Sequence, residues 1–407
     1  MNPNAWDVIN PKGSNRIVVT KALPGQGWRD ILIEADCRIE VGTADRALAT
    51  EEILTVIGNH CDGAIGQITE RWDKTLFAAL RNAGGRAYSN YAVGFDNVDL
   101  AAATAHRIPV GNTPGVLTET TAEMAVALAF AAARRSGESE RFLRAGKFES
   151  WLPKLFLGEL LWRKTVGVIG AGRIGTAFAR MMIEGHKMNL IYFSRHRNER
   201  LEAFCRAYGQ FLESKGEAAV SCRRADNLET LLAEADCVSI HTDLNESTHH
   251  LIDAKRLSLM KPNAVLVNTS RGPVIDEAAL VAHCRRNAQF RAGLDVFENE
   301  PKLTPGLAEL ENVVIVPHTG SATRLQVFSW ADDEADVVSR QVGIGPWSSR
   351  SYTSTGPDGV NWLARTDWRI TAGWRGQGLL GFAWTASPRP GRPHNYVRVV
   401  RIDEQAM

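Results

Sequence analysis

The apolar run Thr165-Val166-Gly167-Val168-Ile169 leads directly into Gly170-Ala171-Gly172-Arg173-Ile174-Gly175, and a helix-compatible stretch, Thr176 to Met188, follows. A second apolar run, Asn189 to Phe193, comes next. Strand, glycine turn, helix and strand in this order form a unit that binds a dinucleotide. The glycines permit a tight turn and close backbone approach to a pyrophosphate, which rests on the N–H groups and positive dipole end of the helix. Gly170, Gly172, Arg173, Ile174 and Gly175 are therefore candidate cofactor-binding residues.

The end of the second strand selects between cofactors. An acid there would accept hydrogen bonds from an adenosine ribose and repel a 2'-phosphate. The chain instead reads Ser194-Arg195-His196-Arg197, a hydroxyl followed by guanidinium groups suited to charge-assisted phosphate binding. Ser194, Arg195 and Arg197 predict a preference for NADP(H), with NAD(H) still possible. The same residues also suit a solvated basic loop.

A chain of 407 residues exceeds the size at which a single core stops growing, so two domains are expected. Lys plus Arg number 47 against 46 for Asp plus Glu, a balance that gives no support to nucleic acid or an anionic membrane as partner. The six cysteines are scattered without a C-x-x-C pair, which suggests neither a disulfide framework nor a zinc site; no metal is expected. No stretch has the length and apolarity of a membrane span, and the first residues carry no secretory pattern. A cytoplasmic location is the expectation from these absences.

Short apolar runs at Arg16 to Thr20, Asp62 to Gly66, Arg86 to Ser89 and Ile108 to Val110 alternate with helix-like segments, a rhythm that predicts a parallel sheet. An alanine-rich helical segment, Thr118 to Arg134, leads to the second sheet unit, whose further strands are expected at Cys237 to His241, Ala264 to Asn268, Ala292 to Asp295 and Val313 to Val316. The fold class is α/β with two doubly wound parallel-sheet domains. A Rossmann NAD(P) domain, residues 120–320, is inserted into a flavodoxin-like substrate domain that begins with residues 1–119. Phe142 to Trp162 is too apolar for an exposed connection and predicts burial, against a second subunit in preference to its own domain.

Residues 321–407 break the pattern. From Arg324 onward the segment holds six of the chain's 11 tryptophans, ten arginines and no lysine. Runs such as Trp347-Ser348-Ser349-Arg350 and Pro388-Arg389-Pro390-Gly391-Arg392-Pro393 have neither helical nor strand period. No regular structure is expected in this tail, whose composition suits a shifted reading frame or an unspliced segment.

Three polar residues stand at expected strand ends, where ligands bind in such sheets: Arg271, Glu300 and His318. Their types suit carbonyl reduction. A histidine beside a carboxylate can deliver a proton to a ketone oxygen, and an arginine can bind a carboxylate and polarise the carbonyl. Each residue alone also reads as an ordinary loop charge or structural histidine.

Together with Val166 to Gly175, the runs Asn268-Thr269-Ser270-Arg271-Gly272, Gly293-Leu294-Asp295-Val296-Phe297 with Glu300-Pro301, and Pro317-His318 resemble the signatures of the D-isomer-specific 2-hydroxyacid dehydrogenases. The resemblance spans roughly residues 14 to 323. It implies that Arg271 binds a 2-oxo acid, that Glu300 and His318 form the proton-transfer pair, and that Asp295 contacts the nicotinamide carboxamide. It implies further cofactor contacts at Thr121, His241, Thr269 and Gly320, and substrate-carboxylate binding by backbone N–H groups near Val93 and Gly94. Asn112 to Thr121, the Trp151-Leu152-Pro153 arm and the long segment Leu201 to Ala225 are most similar to plant and algal hydroxypyruvate reductases. That branch implies hydroxypyruvate as substrate and glyoxylate as a poorer one. Resemblance to the wider group of glyoxylate and hydroxypyruvate reductases implies a homodimer in which a tryptophan on the dimer arm, matched here by Trp151, reaches the partner's site; a core or interface tryptophan without substrate contact is the alternative.

The chain departs from that branch in two places. Ser194 stands where the plant enzymes carry Asp, which puts their NADH preference in doubt here. The helix that returns to the substrate domain after the histidine loop is not recognisable, and neither is the peroxisomal signal that family relatives often carry. Phosphoglycerate dehydrogenase remains an alternative. Formate dehydrogenase fits less well because its branch carries Gln at the position of Glu300. An NAD(P)-sensing corepressor-like binding protein of the same fold is the alternative outside catalysis.

Overall fold

The computed structural model describes residues 6–113 and 117–323, together with Ala335, Val338 and the backbone of five strands between residues 352 and 398. Pro114, Gly115 and Val116, and the runs 347–350 and 388–393, lie outside the described residues. The chain divides into two compact units, Met1–Val116 with Thr323–Met407, and Leu117–Ala322.

The first unit carries strands β1 (Trp6–Ile9), β2 (Asn15–Val19), β3 (Cys37–Gly42), β4 (Gly63–Gln67), β5 (Ala87–Tyr91) and β6 (Val110–Gly111) in the order β1-β3-β2-β4-β5-β6. From β3 to β6 all neighbours are parallel, in the flavodoxin-like arrangement. At the edge, β1 pairs antiparallel with β3, so this sheet is not wholly parallel. Alternate residues of each strand face opposite sides. Val18, Ala64 and Tyr88 pack with Ile53, Ile57, Leu76 and Phe77 on one side, while Ile17, Val19 and Ile65 pack with Trp28 and Leu32 on the other.

That second core corrects the sequence reading of the chain end. Ala335 and Val338 are helical, fully buried, and belong to the cluster around Ile17, Val19, Trp28 and Leu32. At least these two residues of a returning helix are therefore kept. The tail is also more regular than expected: β14 (Tyr352–Thr355), β15 (Asn361–Arg365), β16 (Trp368–Arg375), β17 (Gly378–Ala386) and β18 (Tyr396–Arg398) pair consecutively as an antiparallel meander. Two register shifts interrupt its ladder, so a simple period of two does not run through it.

The second unit holds β7 (Thr165–Ile169), β8 (Asn189–Phe193), β9 (Cys222–Arg224), β10 (Cys237–Ile240), β11 (Val265–Asn268), β12 (Arg291–Leu294) and β13 (Val313–Ile315). Their order, β13-β12-β11-β10-β7-β8-β9, is parallel throughout and matches the Rossmann arrangement with its reversal between β7 and β10. Both faces are apolar, as a sheet covered on two sides requires. Val166, Val168, Leu190 and Val267 pack on one face with Ala125, Leu128, Phe178 and Met182; Ile169, Ile191, Val238 and Leu266 pack on the other with Leu231, Leu257 and Leu280. The helix Thr118–Ala133 supplies much of the first face through small side chains. No described helix is long and apolar enough to cross a membrane.

Candidate active site

The three glycines after β7 have separate structural duties. Gly170 turns the chain at φ +92°, and a Cβ there would stand 2.4 Å from the His241 carbonyl oxygen. Gly175 lets the helix Arg173–His186 lie against its own turn, since a Cβ would meet the Gly170 carbonyl oxygen at 2.1 Å. At Gly172 a Cβ would meet nothing within 4 Å, so that glycine leaves room for a ligand. Gly172 is also the helix N-cap and provides no side-chain cap, leaving the first N–H groups directed at the same space. Directly after β11, which is separated from β7 by β10, the Thr269 hydroxyl oxygen is buried without a hydrogen-bond partner. An open cradle, an uncapped helix and an orphaned buried hydroxyl together fit a dinucleotide.

His241, on the next strand end across the reversal, is held by Ser239 Oγ 2.9 Å from its Nε2 and lies 5.1 Å from the Phe178 ring. Burial drives its imidazole down to about 3, so at neutral pH it is an uncharged lining group. Thr121 is buried at the start of the helix Thr118–Ala133, and its methyl would lie 3.8 Å from a Cβ on Gly320.

At the end of β8, the basic loop separates into different roles. Arg197 is taken up by Glu202, with Nε and a terminal nitrogen 2.9 and 2.7 Å from Oε2. Glu202 also accepts the Tyr192 hydroxyl at 2.6 Å. The Arg195 side chain is exposed with no partner among the described residues. Arg224, on β9, donates to the carbonyl oxygens of Ser194 at 2.8 Å and Arg195 at 3.3 Å. Sequence reading did not single out Arg224, because only strand pairing brings it beside Ser194.

The catalytic candidates sit on the loops that leave three adjacent strands. Arg271 follows β11, Glu300 follows β12 and His318 follows β13. Asn268 shapes the first loop: its amide donates to the Arg271 carbonyl at 2.8 Å, and its Oδ1 accepts from the Ser270 N–H and hydroxyl at 3.0 and 2.8 Å. Glu300 accepts the Phe297 N–H at 2.9 Å on Oε1 and faces His318 Nδ1 at 2.9 Å on Oε2. Burial tends to raise the Glu300 carboxyl, but the His318 contact, the Phe297 N–H and the charge of Arg271 bring it below the ordinary carboxylate range. Glu300 is thus an anion at neutral pH that orients the His318 ring through Nδ1.

Asp295 has a structural duty beyond the cofactor contact expected of it. It is 1% exposed and accepts the Thr319 N–H at 2.6 Å and the Gly320 N–H at 2.8 Å on its two oxygens. Its own carbonyl takes the His318 N–H at 2.9 Å. Burial raises the Asp295 carboxyl, partly offset by those N–H groups and by His318. A Cβ on Gly320 would fall 2.5 Å from Asp295 Oδ2, so only glycine permits this clamp on the histidine loop.

In the other unit, Asn112 donates to the Val93 carbonyl at 2.8 Å and Asn90 to the Gly94 carbonyl at 3.0 Å. These bonds fix the carbonyls of the loop, while the Val93 and Gly94 N–H groups have no partner among the described residues. Trp151 is 78% exposed, with no ring contact among the described residues.

A family model for the NAD-binding domain of D-isomer-specific 2-hydroxyacid dehydrogenases matches residues 126–320. A glycerate dehydrogenase from Cucumis sativus is 56% identical over 348 residues, covering 85% of this chain and 91% of the relative. A peroxisomal glycerate dehydrogenase from Arabidopsis thaliana is 55% identical over 347 residues, covering 85% and 90%. Among solved structures, an NADPH-dependent glyoxylate/hydroxypyruvate reductase from Sinorhizobium meliloti, in complex with NADP and malonate, superposes with a TM-score of 0.62 at 29% identity, over 80% of this chain and 91% of that one. Sequence, fold and the grouped Arg271, Glu300 and His318 agree: the chain belongs to the D-isomer-specific 2-hydroxyacid dehydrogenases.

Proposed function

We propose that the protein reduces hydroxypyruvate to D-glycerate, and glyoxylate to glycolate less well, with NADPH preferred over NADH. The observation that carries the reductase reading is His318 Nδ1 held 2.9 Å from Glu300 Oε2, on the loop beside Arg271. A bound reduced nicotinamide supplies the hydride. Residues Gly170 to Gly175, Thr121, His241, Thr269, Asp295 and Gly320 hold that cofactor. Arg271 binds the 2-oxo acid and polarises its carbonyl. His318 gives its Nε2 proton to the carbonyl oxygen while Glu300 keeps the ring oriented through Nδ1. The related plant proteins are named glycerate dehydrogenases, which supports the substrate assignment.

The cofactor preference rests on Ser194 with Arg195 and on Arg224, whose bonds to two loop carbonyls bring a second positive charge to the end of β8. A 2'-phosphate would meet the guanidinium groups of Arg195 and Arg224 there, with Ser194 in place of an acid at the strand end; Arg197 contributes less because Glu202 holds it. We infer that the protein is a homodimer through the arm at Phe148, Trp151, Leu152, Leu157 and Leu160, all exposed in the single chain. Trp151 is proposed to reach the partner's substrate. Cytoplasmic placement is proposed against the peroxisomal location in the Arabidopsis relative's name, and a fluorescent fusion distinguishes the two.

The deciding experiment measures oxidation of NADPH and NADH in parallel with saturating hydroxypyruvate. Turnover that is faster and of lower KM with NADPH supports both parts of the proposal. Binding of either cofactor without turnover on any 2-oxo acid refutes the reductase and favours a nucleotide sensor.

A further inference from the structure

Behind the catalytic loop lies a group of metal-ligating side chains that the reductase chemistry does not use. His249, His250 and Glu298 each offer one ligand atom, and these atoms lie within 4.8 Å of one another. The two imidazoles stack with centroids 4.0 Å apart and 30° between planes. His250 Nε2 stands 2.7 Å from Glu298 Oε1. His249 is exposed, while His250 and Glu298 are half-buried.

Two imidazoles and one carboxylate form a donor set for a first-row transition ion such as Zn2+ or Co2+; Mg2+ and Ca2+ favour all-oxygen sets. Tetrahedral bonds of about 2.0–2.1 Å require ligand atoms about 3.3 Å apart. His250 Nε2 and Glu298 Oε1, at 2.7 Å, are closer than that, and the three ligand atoms lie within 4.8 Å of one another, so a bound ion requires the side chains to rotate about it, with water completing the shell. Glu298 is already anchored for such a role. Its Oε2 accepts the Glu277 N–H at 3.2 Å, and its own N–H donates to Glu277 Oε1 at 2.7 Å. The other Glu277 oxygen accepts the Thr304 hydroxyl at 2.7 Å.

The geometry points to a transition-metal site formed by His249, His250 and Glu298 at the rear of the catalytic loop. Glu298 precedes Glu300 by two residues, and its backbone packs against Gly272, which follows Arg271: a Cβ on Gly272 would lie 1.9 Å from the Phe297 carbonyl carbon and 2.4 Å from Glu298 N. An ion there replaces the direct His250–Glu298 contact and ties the loop after β10 to the loop carrying Glu300. Cysteine spacing holds no information about this group, since His250 and Glu298 are 48 residues apart.

The test is titration of the tag-free full chain with Zn2+ by calorimetry and with Co2+ by absorption. One equivalent per chain is expected, with Co2+ ligand-field bands and no thiolate-to-metal charge transfer. His249→Ala and Glu298→Gln should each weaken Zn2+ at least about tenfold. Without metal, His249→Ala should turn over like the parent protein. If Glu298→Gln does not fold, His249→Gln serves as the second variant. Equal affinity in the parent and both His249 variants overturns the site. So does the absence of stoichiometric binding, or a thiolate band placing the ion on cysteine.

Discussion

Gly172 and Gly175 stand three residues apart in one turn, yet alanine at the two positions should fail in opposite ways. A Cβ on Gly175 would lie 2.1 Å from the Gly170 carbonyl oxygen and 3.1 Å from Val168 Cγ1. Backbone must move, at a cost of about 1–3 kcal/mol, and the melting temperature should fall by several degrees without any ligand. At Gly172 the backbone is extended, φ −79° and ψ −156°, and a Cβ would touch nothing. Gly172→Ala should therefore fold within about 0.5 kcal/mol of the parent. Its methyl instead occupies the approach of the pyrophosphate. Losing one charge-assisted hydrogen bond of about 1.5–3 kcal/mol weakens NADPH roughly 10- to 150-fold. Ligand-induced stabilisation amplifies the contrast. At NADPH 100 times the parent's Kd, the parent gains about 2.7 kcal/mol, whereas a variant weakened 100-fold gains only about 0.4. Melting curves with and without NADPH, with a fluorescence titration, separate the two effects. Parent-like NADPH binding by Gly172→Ala, or parent-like melting of Gly175→Ala, would refute the assignment of separate duties.

Four further outcomes are expected. His318→Ala should bind NADPH normally and lose about 10²-fold or more in turnover; near-normal turnover removes His318 from proton transfer. Because the Glu300 carboxyl is depressed in the folded state, its stabilising contribution is complete above the ordinary value of about 4.3 and disappears as pH falls through the lower folded value. Glu300→Gln should flatten the acid loss of melting temperature in that window, and an unchanged slope contradicts the ion-pair account. Ser194→Asp, which places an acid where a 2'-phosphate would bind, should invert the ratio of kcat/KM for NADPH over NADH; a static ratio disproves the basic-loop reading. Trp151→Asp should convert a dimer to a monomer in light scattering, and an undisturbed dimer would exclude the arm from the interface.

Legibility followed how locally each feature is encoded. Strands buried on both faces, such as Val166 to Ile169 and Val265 to Asn268, are continuous apolar runs and could be read from the chain. β3 could not, because Arg38 and Glu40 interrupt it. Glu40 is buried nonetheless, held by Arg16 at 3.0 Å and Arg38 at 3.0 Å; burial raises its carboxyl, but the two arginines together bring it below the usual range. A buried charge looks exposed until its partner from another strand is known. β9 is three residues on a sheet edge, two of them exposed arginines, and carries no apolar signal. Ala335 and Val338 likewise gave no sign of a buried helix, since their partners Ile17, Val19 and Trp28 lie some 300 residues earlier.

By itself, the amino-acid sequence determined the glycine turn, the parallel α/β rhythm and the residue types for carbonyl reduction. These depend on φ/ψ freedom, short-range periodicity and side-chain chemistry, all carried by neighbours along the chain. Only the tertiary structure decided which groups meet. The order β11-β12-β13 brings the loops of Arg271, Glu300 and His318 together, Asp295 clamps the histidine loop, Glu202 takes Arg197, and β9 delivers Arg224 to Ser194. Each of these depends on strand order and register, which are set by burying both faces of a sheet and pairing its polar groups across long separations.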